Sequence, residues 1–246
     1  MWGLVNLINS RWAKPMARFA WVGIVCLFII GDSPVASWDI AKWGVPVWHV
    51  ARPNESGLSQ NDIHQFDVGP NGLIMNNSLE ITESKMGGWV EANPHLTDRA
   101  AHTIVIQVTG PNPSCITGMM ELVGSEADVI IANPNGLWIN GGSFIHFPTL
   151  TLTTGVWQPN SIQIRTAPIH IGTNGLQAHD VGVLSMMGGH FINEGVLWTQ
   201  GDFEWVGHVP SIDDHQTQNT QDDNPHASRL SVDHMDGAGM MGEMPH

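Results

Sequence analysis

The apolar positions of this chain fall in short runs and alternate with polar ones, without the three-to-four-residue spacing of an amphipathic helix. The runs are β-branched or alternating and end at Gly, Asn or Pro: HQFDV, GLIMN, HTIVIQVTG, ADVIIAN, GLWIN, TLTLTTG, SIQIR, PIHIG, GVLSMM and GVLWTQG. Runs of this kind predict β-strands. Because the segments between them contain no convincing amphipathic helix, an α/β fold is disfavoured and the sequence predicts a nearly all-β domain.

Two features decide which all-β architecture fits best. A β-sandwich is the default for short strands with frequent turns, but TIVIQV and DVIIAN are apolar on both faces and several turns are rich in Asn. A parallel β-helix accommodates both features, since inward Val, Ile and Leu stack into one core and Asn side chains at equivalent corners can form ladders. We therefore predict a parallel β-helix, although no strict repeat defines its coils.

The first 37 residues have the pattern of a secretory signal peptide. Arg11, Lys14 and Arg18 precede the apolar run FAWVGIVCLFII, and small residues follow in GDSPVAS. The run is shorter than the roughly 20 apolar residues that a membrane-spanning helix needs. We therefore predict a leader over residues 1–37 that is removed after about Ser37, with a short membrane anchor as the alternative.

The character of the chain changes again near Pro210. Residues 211–246 carry seven acidic residues against one basic residue, Arg229, with almost no aliphatic periodicity. Such a segment buries too little apolar area to offset its conformational entropy. We predict a disordered, acidic tail containing His and Met over residues 211–246, and a β domain over residues 38–210 whose weakly alternating residues 38–61 can act as a cap.

Composition narrows the possible partners and the redox chemistry. A hydrophobic content of 42% indicates a real core, while a formal net charge of −14 disfavours electrostatic binding to nucleic acid or to an anionic membrane surface. Cys26 lies in the predicted leader, so Cys115 is the one thiol expected in the mature chain and no intramolecular disulfide can form. We expect Cys115 to be a small buried apolar residue rather than a nucleophile.

Candidate catalytic chemistry is sparse. Glu121, Glu126 and Asp128 form the dense acidic group near strands, and Arg99 or Arg165 could approach it, as a polysaccharide lyase or hydrolase would require. We interpret the acidic group as a solvated face. The chain has no nucleophile-elbow, metalloprotease or phosphate-binding motif, so the sequence predicts no enzyme and no cofactor.

Metal and sugar binding have weaker signals still. The irregularly spaced tail histidines predict adventitious chelation at most and no dedicated metal site: His215, His226, His234 and His246. Four tryptophans could form a carbohydrate-binding stripe, but on short strands we expect them to be core or coil-capping residues: Trp89, Trp138, Trp157 and Trp198.

Residues 132–144 contain two closely spaced turn signals. Pro134 fixes φ for the first corner, Asn135 and Gly136 supply positions that tolerate a positive φ, and LWI continues as a strand. Two interpretations remain open for the asparagines in these turns. They either only form turns, or their exposed corners also belong to a surface that a partner reads.

Three segments in a fixed order resemble the amino-terminal secretion domain of two-partner secretion exoproteins of the filamentous haemagglutinin type. They are GLIMNNSLEITESKMGGWVEANPHL at residues 72–96, GPNPSCITGMMELVGSEADVIIANPNGLWINGGSF at residues 110–144 and TLTLTTG at residues 149–155. The resemblance is close from about Asn61 to Gly155 and continues more weakly to about Gly207.

The resemblance implies a right-handed parallel β-helix with short extra-helical strands, exported across the inner membrane and recognised by the periplasmic domains of an outer-membrane transporter. It implies a secretion signal and folding nucleus for a larger passenger such as an adhesin, cytolysin or contact-dependent toxin, located outside a Gram-negative cell. Adhesion to a host or neighbouring cell is then the downstream role. Two alternatives remain, namely a β-helical carbohydrate-active enzyme and a small secreted binding protein, for carbohydrate or acting through the acidic tail.

The family's two Asn-Pro motifs can be located residue by residue. The second motif is intact as Asn133, Pro134, Asn135 and Gly136, whereas the first, usually Asn-Pro-Asn-Leu, here reads Asn93, Pro94, His95 and Leu96. His adopts a left-handed conformation less readily than Asn, so we expect His95 to alter turn geometry or partner affinity. The resemblance adds an Asn-rich turn as a further candidate: Asn76, Asn77 and Ser78. Ile139 and Gly142 occupy the places of an optional Cys-x-x-Cys pair, so the sequence follows the cysteine-free pattern.

Overall fold

A computed structural model describes residues 37–159 and 161–207, and the predicted tail and all of the predicted leader except Ser37 lie outside this range. The described residues form short β-strands and one 3₁₀ turn, η1 (Lys42–Gly44). The strands in chain order are β1 (Ser37–Ile40), β2 (Pro46–His49), β3 (Leu58–Ile63), β4 (Leu73–Asn77), β5 (Thr82–Ser84), β6 (Gly88–Val90), β7 (Thr103–Val108), β8 (Ser114–Ile116), β9 (Met119–Gly124), β10 (Asp128–Ala132), β11 (Leu137–Ile139), β12 (Gly142–Ile145), β13 (Phe147–Thr153), β14 (Val156–Gln158), β15 (Ser161–Gln163), β16 (Pro168–Ile171), β17 (Leu176–Ala178), β18 (Val181–Gly188), β19 (His190–Asn193), β20 (Leu197–Thr199) and β21 (Asp202–Gly207). No helix within residues 37–159 and 161–207 is long and apolar enough to cross a membrane.

Three sheets run along the molecule, and the chain visits them in turn. The seven-stranded sheet has the order β1-β2-β4-β9-β12-β17-β20, the six-stranded sheet β21-β18-β13-β10-β7-β3 and the four-stranded sheet β19-β16-β11-β8. Within these sheets every pairing is parallel except that of β1 with β2. A chain that returns to each sheet in parallel register forms a coil, so the predicted parallel β-helix is confirmed.

Apolar side chains stack from coil to coil and form one core. Val129 lies in register with Ile104 on one side and Leu150 on the other, and Leu150 continues the row to Leu184. All four are fully buried. A tryptophan lies in the core near each end of the described coils. Trp48 stacks on Trp38 at one end, and Trp205 contacts Phe191 at the other. The core is therefore continuous along the solenoid, as the inward-facing Val, Ile and Leu of the sequence predict.

Two antiparallel hairpins interrupt the coils and explain why the sequence has no strict repeat. Leu184 and its register partner Phe203 are 19 residues apart, whereas Leu150 and Leu184 are 34 apart, because the β14–β15 hairpin is inserted between β13 and β16. The β5–β6 hairpin is similarly inserted after β4, and its Val90 packs with Ile74 and Val123 on the outer face of the seven-stranded sheet. These hairpins are the predicted extra-helical strands.

The sequence pattern located nine of the 21 strands of the described residues, and β2 and all of β1 except Ser37 lie within the weakly alternating residues 38–61. Of the ten predicted runs, HQFDV is wrong as a strand, because only Val68 forms an isolated bridge, to Ile116. The pattern missed ten further strands of the described residues, most of them short or polar: β3, β5, β6, β8, β9, β12, β14, β17, β19 and β21. The missed strands of the three long sheets depend for their positions on parallel pairing with neighbouring coils, which local alternation does not report.

At the amino-terminal end of the β-helix, neighbouring segments contact the first strands of the three sheets. At the amino-terminal end β1 pairs with β2, and the Val68 backbone bonds to both Cys115 and Thr117 beside β8. Ala51 lies beside β3, where its N–H donates to Asn61 Oδ1 at 3.0 Å and its carbonyl accepts from Ser59 Oγ at 2.7 Å. At the other end, β19, β20 and β21 are the last strands of their sheets within the described residues.

Candidate functional site

The second Asn-Pro motif is a turn built around a buried asparagine side chain. Asn133 Oδ1 accepts the Asn135 N–H at 2.9 Å, and the Asn133 carbonyl accepts the Gly136 N–H at 3.1 Å. Asn133 Nδ2 donates to the Asn112 carbonyl at 3.0 Å and to Ser114 Oγ at 2.9 Å. The side chain is fully buried, so it closes the turn between β10 and β11 and ties that turn to the preceding coil.

The first motif repeats this arrangement despite its histidine. Asn93 Oδ1 accepts the His95 N–H at 2.9 Å, and the Asn93 carbonyl accepts the Leu96 N–H at 3.1 Å. Asn93 Nδ2 donates to the carbonyls of Val50 and Asn76. The two motifs therefore form the same hydrogen-bonded turn at different places in the fold.

Neither Asn135 nor His95 uses the positive φ that the third motif position is expected to tolerate. Among the described residues other than glycine, only Trp43 and His146 have a positive φ, whereas Gly136 has a φ of 118°. The Asn side chain at the first position closes the turn, so the third residue keeps an ordinary backbone conformation that His95 also adopts. The turn geometry at His95 is thus retained, and its effect on a partner stays a prediction.

The third position of each motif does differ in its side-chain contact. Asn135 Nδ2 donates to the Gly110 carbonyl at 2.7 Å, while His95 Nε2 lies 2.7 Å from Ser37 Oγ in β1. Asn135 and Pro94 are exposed, and Pro134 and His95 are partly exposed. The second and third residues of each motif are therefore exposed to solvent, at least in part. The asparagine at the first position, Asn93 or Asn133, is buried.

The prediction of a turn at residues 76–78 is wrong for Asn76 and Asn77, which are the buried end of strand β4. Residues 76–78 contact the first motif but not the second. Asn93 N–H donates to the Ser78 carbonyl at 2.8 Å, and Asn77 bridges two coils through Nδ2 bonds to the Ala101 and Ser125 carbonyls. Asn76 Nδ2 donates to Glu91 O and contacts His49 Nδ1. The sequence predicted that asparagine side chains at equivalent corners can form ladders with one another. In this cluster their amides instead bond mainly to backbone carbonyls. The first motif and residues 76–78 form one cluster beside the ends of β2 and β4, while the second motif lies at the corner between β10 and β11.

The interpretation of the acidic group as one solvated face is wrong for Glu121. Glu126 and Asp128 are exposed, but Glu121 is fully buried and accepts three bonds from the β5–β6 turn, from Ser84 Oγ at 2.6 Å, Lys85 N–H at 2.8 Å and Met86 N–H at 3.1 Å. The sequence carries a faint signal of this, because Val123 lies two residues further along β9, on the same face as Glu121, and is apolar.

The arginines do not join this group. Arg99 pairs with Asp98 at 3.2 Å, and Arg165 donates to Gln163 Oε1 at 3.2 Å. A polysaccharide-cleaving site needs carboxylates and a basic side chain close together. The candidate residues from the sequence do not form such a group.

A groove of about 510 Å³ lies next to Glu121, between the β5–β6 hairpin and the turns before β13 and β18. His146 lies at its wall with Nε2 3.3 Å from Asp180 Oδ2, and the Lys85 ammonium is 3.7 Å from the same carboxylate. These contacts join the hairpin to two successive coils. No cluster of three or more His, Cys, Asp or Glu residues suited to a metal ion occurs within the described ranges.

Cys115 and the four candidate tryptophans lie on the surface in varying degrees. Burial and the nearby Asp67 carboxylate raise the pKa of the half-buried Cys115 thiol, which favours the unreactive thiol over the thiolate. The expectation that the tryptophans are core residues is wrong for Trp89, Trp138 and Trp198, which are exposed, and Trp157 is partly exposed. They lie on different elements, β6, β11, β20 and β14 respectively, rather than on one strand row.

Two histidines beside the first motif are held in their neutral form. Burial lowers the pKa of His49, the neighbouring His95 lowers it further, and Asp39 opposes both effects. Burial also lowers the pKa of His95. The rings contact edge to face with centroids 6.4 Å apart, and His49 Nδ1 accepts from Asn76 Nδ2, a bond that a protonated ring cannot accept.

These pKa shifts predict that the domain loses stability in acid. A histidine whose pKa is lowered by folding binds its proton more readily in the unfolded chain, so stability is lost as the pH falls below about 6.5 through the folded-state values. We expect NMR titration to place the midpoints of both rings below the ordinary histidine value. The variant His95→Asn should lower the acid sensitivity of thermal unfolding, while His102→Asn, at an exposed position, should not; a His49 midpoint at or above 6.5 would contradict the prediction.

The solenoid, its amino-terminal cap and its two Asn-Pro turns define a secretion domain of the two-partner type. A model of the TPS secretion domain family, where TPS stands for two-partner secretion, matches residues 36–228. The chain therefore belongs to the TPS secretion domain family. The resemblance seen in the sequence motifs is confirmed.

Named relatives agree with this assignment. The chain is 38% identical over 158 residues to a 16S rRNA endonuclease CdiA of Enterobacter cloacae, which covers 60% of this chain and 5% of the relative. It is 38% identical over 147 residues to Filamentous hemagglutinin of Bordetella pertussis, covering 58% of this chain and 4% of the relative. The crystal structure of the filamentous hemagglutinin secretion domain matches with a TM-score of 0.65 and 32% identity over 71% of this chain and 62% of that one. The matched part of this chain spans about a twentieth of the length of the two sequence relatives. The nuclease activity in the name of the first relative is therefore stated of that relative alone.

Proposed function

We propose that this domain is the secretion signal of a two-partner secretion exoprotein of the haemagglutinin or adhesin type. The periplasmic domains of an outer-membrane transporter recognise it, and it nucleates β-helix folding at the surface of a Gram-negative cell. It acts without catalysis or a cofactor, and adhesion to a host or neighbouring cell is the downstream role. The family match and the relatives support the secretion role.

The observation that carries the proposal is a parallel β-helix whose amino-terminal end is covered. Strand β1 pairs antiparallel with β2, and the Val68 backbone bonds to Cys115 and Thr117 beside β8. Because each parallel coil offers its backbone groups as a template to the next coil of the same chain, growth away from the covered end is favoured. This arrangement suits a nucleus to which later coils are added.

The exposed corners of the two motifs are the recognition surface in this proposal. Pro94, His95, Pro134 and Asn135 face solvent, while Asn93 and Asn133 fix the shape of each corner from inside. Leu96, Gly136 and residues 76–78 complete the turns. The buried positions then act on recognition indirectly, through turn shape.

Transporter-dependent release of the full chain tests the proposal. The chain is expressed in a Gram-negative host with and without an outer-membrane transporter carrying periplasmic domains from the same genome, and the culture medium, cell surface and periplasm are assayed. We expect release that requires the transporter. Folded protein retained in the periplasm beside a functional transporter would contradict the proposal, and assays on acidic polysaccharides would then examine the enzyme alternative.

A further inference from the structure

The sequence contains four Asn-Gly pairs, and each occupies a turn of the β-helix. They are Asn71-Gly72, Asn135-Gly136, Asn140-Gly141 and Asn174-Gly175. In an Asn-Gly pair the glycine nitrogen can attack the asparagine Cγ, forming a succinimide and releasing ammonia. Water then opens the ring to aspartate or isoaspartate. The reaction needs a glycine nitrogen that is free to lose its proton and to approach Cγ.

The fold holds all four glycine nitrogens away from this reaction. The N–H groups of Gly72, Gly136 and Gly175 donate to the carbonyls three residues earlier at 2.9, 3.1 and 2.9 Å, and Gly141 N–H donates to the Gly175 carbonyl at 2.8 Å. Each of the four glycines has a positive φ, between 74° and 118°. Attack on Cγ therefore requires breaking a backbone hydrogen bond and rotating a left-handed turn.

Two of the asparagine side chains are held as well. Asn135 Nδ2 donates to the Gly110 carbonyl at 2.7 Å, and Asn140 Oδ1 accepts the Asn174 N–H at 2.8 Å. Asn71 and Asn174 are exposed. Local opening that frees Gly136 or Gly141 must therefore also release a side-chain bond, so these two pairs should be the better protected.

We propose that the four Asn-Gly pairs are deamidation sites which the fold closes, so that succinimide formation marks chains that have not folded. Asn135 is the site at which this modification is most harmful. Its conversion to aspartate replaces the donor to the Gly110 carbonyl with a carboxylate facing that carbonyl, within the exposed corner of the second motif. The inference concerns chemical modification and stands whether or not a transporter reads the corner.

Site-resolved deamidation rates test the inference. The purified full chain is incubated near neutral pH in buffer and in concentrated guanidinium chloride, then digested and analysed by mass spectrometry for aspartate and isoaspartate at each pair. Synthetic peptides spanning the four pairs supply the intrinsic rates. We expect the denatured chain to deamidate at the rates of the peptides. The folded chain should deamidate more slowly by a factor of at least about ten, and most slowly at Asn135 and Asn140. Equal rates in folded and denatured chain at these two sites would overturn the inference.

The harm assigned to Asn135 has its own measurement. Asn135→Asp imitates the product at the motif, and Asn71→Asp is the matched control at an exposed Asn-Gly pair whose side chain faces solvent. We expect Asn135→Asp to lower the thermal unfolding midpoint by several degrees and Asn71→Asp to leave it unchanged. Equal midpoints for the two variants would remove the special role of Asn135.

Discussion

Replacement of Glu121 by alanine is expected to destabilise the domain by about 2–4 kcal/mol. The carboxylate is fully buried and accepts three bonds from the β5–β6 turn, at Ser84, Lys85 and Met86. Alanine leaves these donors without an acceptor and creates a cavity under the hairpin. The packing of Val90 on Ile74 and Val123 depends on the same hairpin, so its loosening exposes further apolar surface.

Urea unfolding followed by tryptophan fluorescence measures this effect. Glu121→Gln keeps the shape and one acceptor oxygen, so it should lose less stability than Glu121→Ala. Glu126→Ala is the control, because that side chain is exposed on the same segment and its removal should change the free energy of unfolding by about 0.5 kcal/mol or less. A Glu121→Ala variant as stable as Glu126→Ala would show that the carboxylate does not anchor the hairpin.

Replacement of Asn133 by alanine is the second large effect, expected at about 2–3 kcal/mol. The amide accepts the Asn135 N–H and donates to Asn112 O and Ser114 Oγ, all within 3.0 Å. Asn135→Ala removes an exposed side chain with one bond of 2.7 Å, to Gly110, and should cost about 1 kcal/mol or less. The two variants therefore separate the internal frame of the corner from its outer surface.

Stability and secretion measured on the same variants distinguish the two interpretations of the motif. If the corner is read by a transporter, Asn135→Ala reduces secretion while the unfolding midpoint changes little. Asn174→Ala, at an exposed turn outside both motifs, serves as the control for secretion. If the asparagines only form turns, secretion falls in proportion to lost stability, and Asn133→Ala alone is affected strongly.

The all-β class and the most apolar strands of the core were readable from local sequence. TIVIQV and DVIIAN form the buried strands β7 and β10, because residues that are apolar on both faces need a covered sheet. By contrast HQFDV alternates polar and apolar residues, as a half-buried strand does, but forms only one bridge, at Val68. Its neighbours lack a parallel partner in register, and partner position is a property of coils distant in sequence.

The candidate site divides in the same way. The positions of both Asn-Pro motifs follow from their residue types, whereas the sequence indicated a position suited to a positive φ at Asn135 and a solvated position at Glu121. At Asn135 the bond from its N–H to Asn133 Oδ1 closes the turn without a positive φ. At Glu121, donors from residues 84–86 take the place of solvent around the carboxylate. Glu121 reaches the turn at residues 84–86 only once β9 is paired beside β4.

By itself the sequence determined an all-β solenoid with an apolar core, Asn-rich corners and the order of family motifs, since alternation, turn residues and short motifs are local properties. Only the tertiary structure decided which asparagines are internal supports, which carboxylate is buried and which sheet edges are covered. Those outcomes depend on the stacking of coils, which brings together residues 19 to 47 positions apart. At that separation strand pairing and desolvation, rather than local propensity, determine the free energy of each arrangement.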